Sequence, residues 1–342
     1  MKPLTVFKPW NKKTLPKKIL VIRFQALGDT VVTLPYLLSL KKQLPQVALH
    51  FLTREEVSLI PSEIDLFEKI IIIKGGRNLK LQFFYCLKKI PAFWIERYDI
   101  VIDLQNHILS KCIRISLRSS AWSSFDKYSP LSAGERTKLT INALNLCQVK
   151  IETDFVMKSE RFIISVEEKL AKYALDKSSK IIIINPAGAF ESRHWPLENY
   201  VTFCKHWIAY DKKIKFVIVG LSSLKKKSLW LKERLGNMVI DLVNETNAVE
   251  AFIIVRMAHL VLTEDSGLMH ISWVQGVPTF ALFGSTRNDW SAPLGEKSLC
   301  LNSSDLPCGN CMQKVCQFGD THCLTRYTPE YVFQQSQKLV QI

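Results

Sequence analysis

Lys18-Ile-Leu-Val-Ile-Arg-Phe-Gln-Ala-Leu-Gly-Asp29 is the stretch on which the fold turns. Its first seven residues form an apolar run of strand length, interrupted only by Arg23, and Gln25 to Gly28 reads as a short turn. From Asp29 the apolar positions Val32, Pro35, Tyr36 and Leu40 recur at helical spacing as far as Pro45. Strand, glycine turn and helix in that order open a doubly wound α/β domain. Residues 47–52, 69–73 and 99–103 supply further strands, and a helix over 79–90 is expected to end at Pro91. The first fifteen or so residues read as basic and irregular.

The alternation lapses between about 151 and 179, where a helix fills the connection, and restarts at Lys180-Ile-Ile-Ile-Ile-Asn-Pro186. A helix near Pro196, a strand over 215–220, a basic helix over 224–235 and a strand over 238–243 follow. Then come a helix over 248–258, a strand over 259–264, a helix from Gly267 and a strand over 277–283. Two such units in tandem predict two Rossmann-like domains facing across a cleft, 1–165 and 166–328, with a last helix in 329–342 leaning back on the first. Neither glycine turn spells G-x-G-x-x-G, so a dinucleotide cofactor is not indicated.

Composition narrows the function. Of 342 residues, 46 are Lys or Arg and 31 Asp or Glu, a formal charge of +15, so the partners expected are anionic: nucleic acid, an acidic membrane or a phosphorylated substrate. At 47% apolar and 23% charged the chain has the composition of a folded globular protein. No apolar run approaches the roughly 18 residues of a membrane span. Lys2, Lys8, Lys12, Lys13, Lys17 and Lys18 crowd the amino-terminal stretch, but the apolar run behind them is broken by Arg23 and lacks a small-residue cleavage site, so no signal peptide is read. Nine cysteines, an odd number, point to a reducing compartment and a cytoplasmic location.

Three stretches fall at the carboxyl ends of predicted strands, where open parallel sheets hold ligands: Gly28-Asp29, Asn185-Pro-Ala-Gly188 through Arg193-His-Trp-Pro196, and Glu264-Asp-Ser-Gly-Leu-Met-His270. Each also has a purely structural reading, because helix starts attract Asp and Ser as caps. In combination they resemble the ADP-heptose:lipopolysaccharide heptosyltransferases, glycosyltransferase family nine. The resemblance runs from Ile19 to Thr30, through Thr33-Leu-Pro35 and Leu44-Pro45, and along Tyr98-Asp-Ile-Val-Ile-Asp-Leu-Gln105. It continues in Asn185–Gly188 and Arg193–Pro196, and in Asp265–His270, Gly276-Val-Pro278 and Leu282-Phe-Gly-Ser-Thr286.

The resemblance implies a GT-B fold and a metal-independent, inverting transfer of heptose, with the acceptor held mainly by the first domain and the nucleotide sugar by the second. Asp29 matches the family's Gly-Asp base position, and the helix start there favours a charged carboxylate able to take the acceptor's proton; capping the helix is its bland alternative. Arg193 stands where the family presents a basic residue to the diphosphate, against a plain salt bridge. Ser266 and Gly267 open a helix whose amides favour an anion, Asp265 orients that loop or meets a sugar hydroxyl, and Gly28 and Gly188 line the same ends. His270 faces that site or is a satisfied packing histidine. The chain departs from the family after Gly220, where Leu221-Ser-Ser-Leu-Lys-Lys-Lys227 replaces the acidic residue some members carry for the ribose; Ser222 is a substitute partner, against a solvated loop.

Cys308-x2-Cys311-x4-Cys316-x6-Cys323 places four thiols in sixteen residues, enough to close a tetrahedral, structural site for zinc or iron, against free thiols in a compact loop. Catalysis itself is expected to need no cofactor. The partners implied are ADP-heptose, a lipopolysaccharide core precursor and the anionic cytoplasmic face of the inner membrane, on which the protein would lie peripherally. The segment 79–90 with Phe93 and Trp94 mixes aromatics and lysines; we read it first as a helix packed on its own sheet, with an interfacial helix as the alternative. Another nucleotide sugar or a protein acceptor on the same fold is the near rival. A basic nucleic-acid-binding protein with a zinc module is the distant one, and no recognition motif for nucleic acid is found.

Overall fold

A computed structural model of the chain describes residues 5–76, 78–126, 128–175 and 179–341, so Lys2 of the basic amino-terminal stretch lies outside them. The chain divides into two compact units, Met1–Lys158 and Ser159–Ile342.

The first unit is built on β1 (Thr5–Lys8), β2 (Lys18–Ile22), β3 (Ala48–Arg54), β4 (Lys69–Ile73), β5 (Ile100–Asp103) and β6 (Ala121–Phe125). They lie in the order β1-β6-β5-β2-β3-β4, all parallel except β1, which runs antiparallel to β6. The four predicted strands appear within one or two residues of their expected bounds. β1 and β6 were not foreseen. β1 is an edge strand with three of its four residues exposed, and β6 reads Ala-Trp-Ser-Ser-Phe, so neither carries an apolar signature. Its helices are α1 (Leu27–Gln43), short α2 (Leu59–Glu63), α3 (Leu79–Glu96), α4 (Ile108–Ser116) and α5 (Ala133–Asn142).

α3 continues through Pro91, where an end was expected. The ring lies on the exposed side of the helix, so the carbonyl of Leu87 that loses its amide donor meets water instead of a dry core. The reading of α3 as a helix packed on its own sheet holds for its inner side, where Cys86 and Phe93 join the core with Leu52, Ile71 and Ile73, while of its eighteen residues only Gln82, Cys86 and Phe93 are buried.

The second unit opens with α6 (Arg161–Ala171) and alternates β7 (Lys180–Asn185), α7 (Leu197–Tyr210), β8 (Ile214–Gly220), α8 (Lys225–Leu235), β9 (Val239–Val243) and α9 (Ala248–Arg256). It continues with β10 (Leu260–Glu264), α10 (Gly267–Trp273), β11 (Thr279–Leu282), α11 (Asn288–Ser291), β12 (Ser298–Leu301), α12 (His322–Thr325) and α13 (Pro329–Val340). The strands are all parallel in the order β12-β11-β10-β7-β8-β9, with β12 the one strand the sequence reading missed. Ile182, Ile184, Phe216, Ile218, Leu260 and Leu262 form its core with Phe203 and Trp207 of α7.

The unit begins at Ser159 and not at 166, because α6 is tied to α9: Ser165 Oγ and Lys169 Nζ both donate to Glu250 Oε1, each at 2.6 Å. α13 packs on α7 within the same unit, with Phe333 edge-on to Trp207 at 5.2 Å and Glu330 3.2 Å from His206 Nε2. In each sheet the winding reverses beside the first strand, between β2 and β5 and between β7 and β10. The carboxyl ends at such a reversal leave a crevice open to a ligand. All three sequence stretches singled out above lie at those ends.

Candidate active site

In the first unit the chain leaves β2 at Arg23, turns, and enters α1 with Gly28 and Asp29 in its first turn. Asp29 Oδ2 accepts the amide of Ala26 at 3.1 Å, so the capping role is real. The same oxygen lies 2.9 Å from Arg23 Nη2, an ion pair in which the guanidinium is mostly buried and the carboxylate two-fifths exposed. Arg23 is itself fixed by donating Nη1 to the Leu104 carbonyl. Arg136 of α5 is close enough to feel Asp29: burial lowers its pKa, Asp29 opposes that shift, and Arg23 reinforces it. Gln105, just beyond β5, holds the turn by accepting the amides of Phe24 and Gln25 on Oε1 at 2.8 and 3.2 Å. Arg54 Nη1 donates to Gln25 Oε1 at 2.9 Å.

Behind that turn Asp103 is fully buried. It accepts the amides of Gln105 and Asn106 on Oδ1 and the hydroxyl of Ser110 on Oδ2. Burial raises its pKa against those donors.

In the second unit the carboxyl end of β10 meets the loop after β7. Glu264 is fully buried, with Oε2 accepting Gly188 N at 2.7 Å and Oε1 accepting Trp195 N at 2.8 Å and Tyr200 OH at 3.3 Å. One carboxylate thereby pins both ends of the loop that carries Arg193. Burial pushes its pKa up to about 7, outweighing Lys227 and the three donors. Lys227 of α8 donates to the Pro186 carbonyl at 2.7 Å, and burial lowers its pKa.

Arg193 Nη1 lies 3.1 Å from Asp265 Oδ2, which also accepts Thr286 Oγ1 at 2.8 Å, and the guanidinium lies over the Phe190 ring at 4.2 Å. Among the described residues, nothing accepts a hydrogen bond from the buried Nε of Arg193. Asn185 Nδ2 donates to Thr263 Oγ1 and Ser266 Oγ at 2.8 and 2.7 Å, fixing the start of α10 to β7. The two glycines differ in purpose. A Cβ on Gly188 would lie 2.7 Å from Arg193 Cβ and 2.9 Å from Glu264 Oε2, whereas one on exposed Gly267 would meet nothing within 4 Å. Gly188 is a packing requirement and Gly267 leaves open floor beside Ser266.

The structure thus brings Gly188, Arg193, Asp265, Ser266 and Gly267 together and sets Gly28 and Asp29 at the matching end of the other sheet. His270 accepts the indole N–H of Trp273 on Nδ1 at 3.2 Å, which is its packing role. Ser222 is exposed. The lysines after it do not form a solvated loop, since Lys225 Nζ pairs with Asp241 Oδ2 at 2.8 Å and Lys227 reaches Pro186.

All nine cysteines are free thiols. Cys308, Cys311, Cys316 and Cys323 line one cavity of about 320 Å³, together with Ser192, Ser285, Asp320 and His322. The Cys323 thiol is pushed up to about 11 by burial first and then by Cys316, Cys311 and Cys308, so the four sulfurs lie within electrostatic reach of one another. As they stand, no three His, Cys, Asp or Glu side chains among the described residues are close enough to hold a metal ion. This cysteine loop braces the Arg193 loop from behind: Ser192 N donates to the Lys314 carbonyl and Ser192 Oγ to the Gln313 carbonyl.

A sequence model of glycosyltransferase family 9 (heptosyltransferase) matches residues 92–322. The chain belongs to this family. Lipooligosaccharide heptosyltransferase 2 of Campylobacter jejuni is 24% identical over 330 residues, covering 92% of this chain and 95% of that one. A family 9 glycosyltransferase from Veillonella parvula superposes with a TM-score of 0.81 at 18% identity, covering 97% of this chain and 99% of the other. The Escherichia coli heptosyltransferase WaaC bound to ADP-2-deoxy-2-fluoro heptose superposes at 0.67 with 18% identity, covering 94% and 99%. The fold is therefore that of the GT-B heptosyltransferases, two Rossmann-like units, and the chain is a glycosyltransferase.

Family 9 motifs led to Arg193 and Asp265 but gave no role to Glu264, Lys227 and Gln105, although all three stand in the stretches quoted above. An acidic residue ending an apolar strand was the available signal for Glu264, because a carboxylate so placed must be bonded to survive burial. Its protonation has a measurable consequence. A proton bound more tightly in the folded protein (about 7) than in the unfolded chain (4.5) stabilises the fold below pH 4.5 and is lost as pH rises through 7. Relative to Glu264→Gln, which cannot titrate, the native protein is expected to gain about 3 kcal/mol of unfolding free energy as pH falls across that window. Urea denaturation of both proteins at matched pH values reads the difference, and parallel pH profiles would refute it.

Proposed function

We propose that this glycosyltransferase transfers heptose from ADP-heptose to a lipopolysaccharide core precursor with inversion at the anomeric carbon, and that Asp29 is the general base. Family membership and relatives named as heptosyltransferases support the substrates. The observation that carries the reading on this chain is Arg193, held at the switch point of the second sheet against Asp265 and over the Phe190 ring.

The attacking hydroxyl loses its proton as the new bond forms, and a carboxylate in a helix's first turn can take it. Arg23 and the Ala26 amide hold Asp29 Oδ2, which fixes the carboxylate's direction. On the other side of the reaction the departing diphosphate gains negative charge. Arg193 grips phosphate oxygens through several parallel N–H donors, and the open floor at Gly267 with the amides of Ser266 and Gly267 admits the rest of the group. The first unit thus serves the acceptor and the second the nucleotide sugar, with Asp265 directing Arg193 and Gly188 giving it room. No metal is assigned to the chemical step.

Zinc or iron at Cys308, Cys311, Cys316 and Cys323 belongs to the same proposal, supported by four thiols around one cavity. Thiolates suit either ion, and a site using four of them is structural, tightening the loop that backs Ser192 and Arg193. Elemental analysis of anaerobically purified protein is expected to find roughly one ion per chain, lost in a Cys308→Ser, Cys311→Ser variant; under about a tenth of an ion removes the site.

The central test is ADP release from ADP-heptose with heptose-deficient lipopolysaccharide as acceptor. Asp29→Asn is expected to lower kcat by roughly a hundredfold or more with little change in KM for the donor. Arg193→Ala is expected to raise that KM and lower kcat, since charge on the diphosphate is met both before and during departure. Equal turnover by native protein and Asp29→Asn would remove Asp29 as the base.

A further inference from the structure

α3 is apolar on its outer side as well as on the side packed against the sheet. Its inner side is Gln82, Cys86 and Phe93, while Leu81, Phe83, Phe84, Leu87, Trp94 and Ile95 are all exposed, Ile95 by 80% and Trp94 by 58%. At helical spacing these six fall on one broad outward face together with Lys80 and Lys88. Lys88 Nζ lies 4.4 Å from the centre of the Phe84 ring, its stem lying along the apolar surface. The helix carries a single acidic residue, Glu96, which is turned to the sheet and held at 2.5 Å by both Lys18 and Lys69. No negative charge therefore reaches the outward face.

The patch is rigidly mounted. Trp94 Nε1 donates to the Ser116 carbonyl at 3.0 Å, tying α3 to α4, and α4 adds exposed Ile108 and Ile115 with Lys111 between them. Gly75 and Asn78 define where α3 begins: a Cβ on Gly75 would meet Leu81 Cβ at 2.9 Å, and Asn78 Oδ1 caps the amides of Lys80 and Leu81. An apolar surface of this extent on a soluble face marks an interaction site.

We propose that the outward face of α3, extended by α4, docks on an anionic lipid surface, with its aromatic and aliphatic side chains in the acyl boundary and Lys80 and Lys88 among the headgroups. This deepens the proposed function, whose lipid-carried acceptor must be met at its membrane. Charge selects the occupant. A second copy placed face to face would set Lys80 and Lys88 against their own counterparts with no acid to answer them. A nucleic acid would use the lysines and leave the apolar side chains unserved. Anionic lipid satisfies both halves, with the lysine stems reaching up to phosphate level while the rings stay below.

Flotation of the full-length protein with phosphatidylcholine vesicles, with and without phosphatidylglycerol, tests this directly. The native chain is expected to float with the anionic vesicles, less so as salt rises. Leu81→Ser/Phe84→Ser/Ile95→Ser and, separately, Lys80→Glu/Lys88→Glu are each expected to weaken that binding by roughly tenfold or more. Unchanged melting temperatures are expected, because all five side chains are exposed. Native protein that does not float, or variants that float as well as it does, overturn the docking face. So does a native dimer in sedimentation that the triple variant returns to monomer, since the occupant is then a second copy. Flotation requires no sugar transfer, so protein that floats yet releases no ADP from any acceptor leaves the docking face standing and removes the heptosyltransferase reading. Turnover of a detergent-solubilised acceptor without flotation does the reverse.

Discussion

A buried carboxylate at the end of a strand holds the second unit's loops in place. Glu264 takes two backbone amides from opposite ends of one loop, Gly188 and Trp195, and a phenol from the helix that follows. Burying a carboxylate is unfavourable unless donors replace water, and here the donors belong to a segment that has no strand or long helix of its own between residues 186 and 196. The interaction therefore works in both directions. The loop's amides make the buried acid tolerable, and the acid gives the loop one conformation, in which Arg193 lies over Phe190 and against Asp265.

The first unit solves the same problem with a longer relay. Asp103 ends β5, which stands beside β2 as β10 stands beside β7. It holds the amides of Gln105 and Asn106, and the side chain of Gln105 in turn takes the amides of Phe24 and Gln25. The turn that delivers Gly28 and Asp29 is thus anchored to the neighbouring strand through an intermediate glutamine. In both units the residue argued to meet substrate is not the buried acid. It sits on a segment that the buried acid immobilises, where partial exposure is compatible with a fixed position.

What the sequence disclosed follows from which forces act locally. Aliphatic runs such as Ile181–Ile184 can only be interior strands, so the central strands of both sheets and the helices between them were legible. β1, β6 and β12 were not, because edge positions and serine-rich strands bury too little apolar surface to leave a pattern. The site divides in the same way. Gly28-Asp29 and Asp265-Ser-Gly267 were visible because a strand end followed by a helix start has a local signature. The pairing of Arg193 with Asp265 and the reach of Lys227 to Pro186 depend on residues far apart in the chain, and a run of three lysines reads as solvated until α8 turns Lys225 and Lys227 to different partners.

The ion pair between Arg193 and Asp265 was the bland reading of Arg193, and it does not compete with phosphate binding as simply as it first suggests. A guanidinium offers five N–H donors and Asp265 occupies one edge of it. Asp265 itself has a second donor in Thr286, so a shift of Arg193 toward a diphosphate would leave the carboxylate hydrogen-bonded. The stack on Phe190 restrains the plane of the guanidinium without using its donors. What the pair withholds in charge it returns in preorganisation: a lone arginine would lose side-chain freedom on meeting the diphosphate, whereas this one has already lost it in folding. The carboxylate also sets a sign on the site. On the proposed function, a neutral or weakly charged ligand would gain too little from the remaining donors to offset Asp265, while a diphosphate, carrying more negative charge than Arg193 has given up, still would.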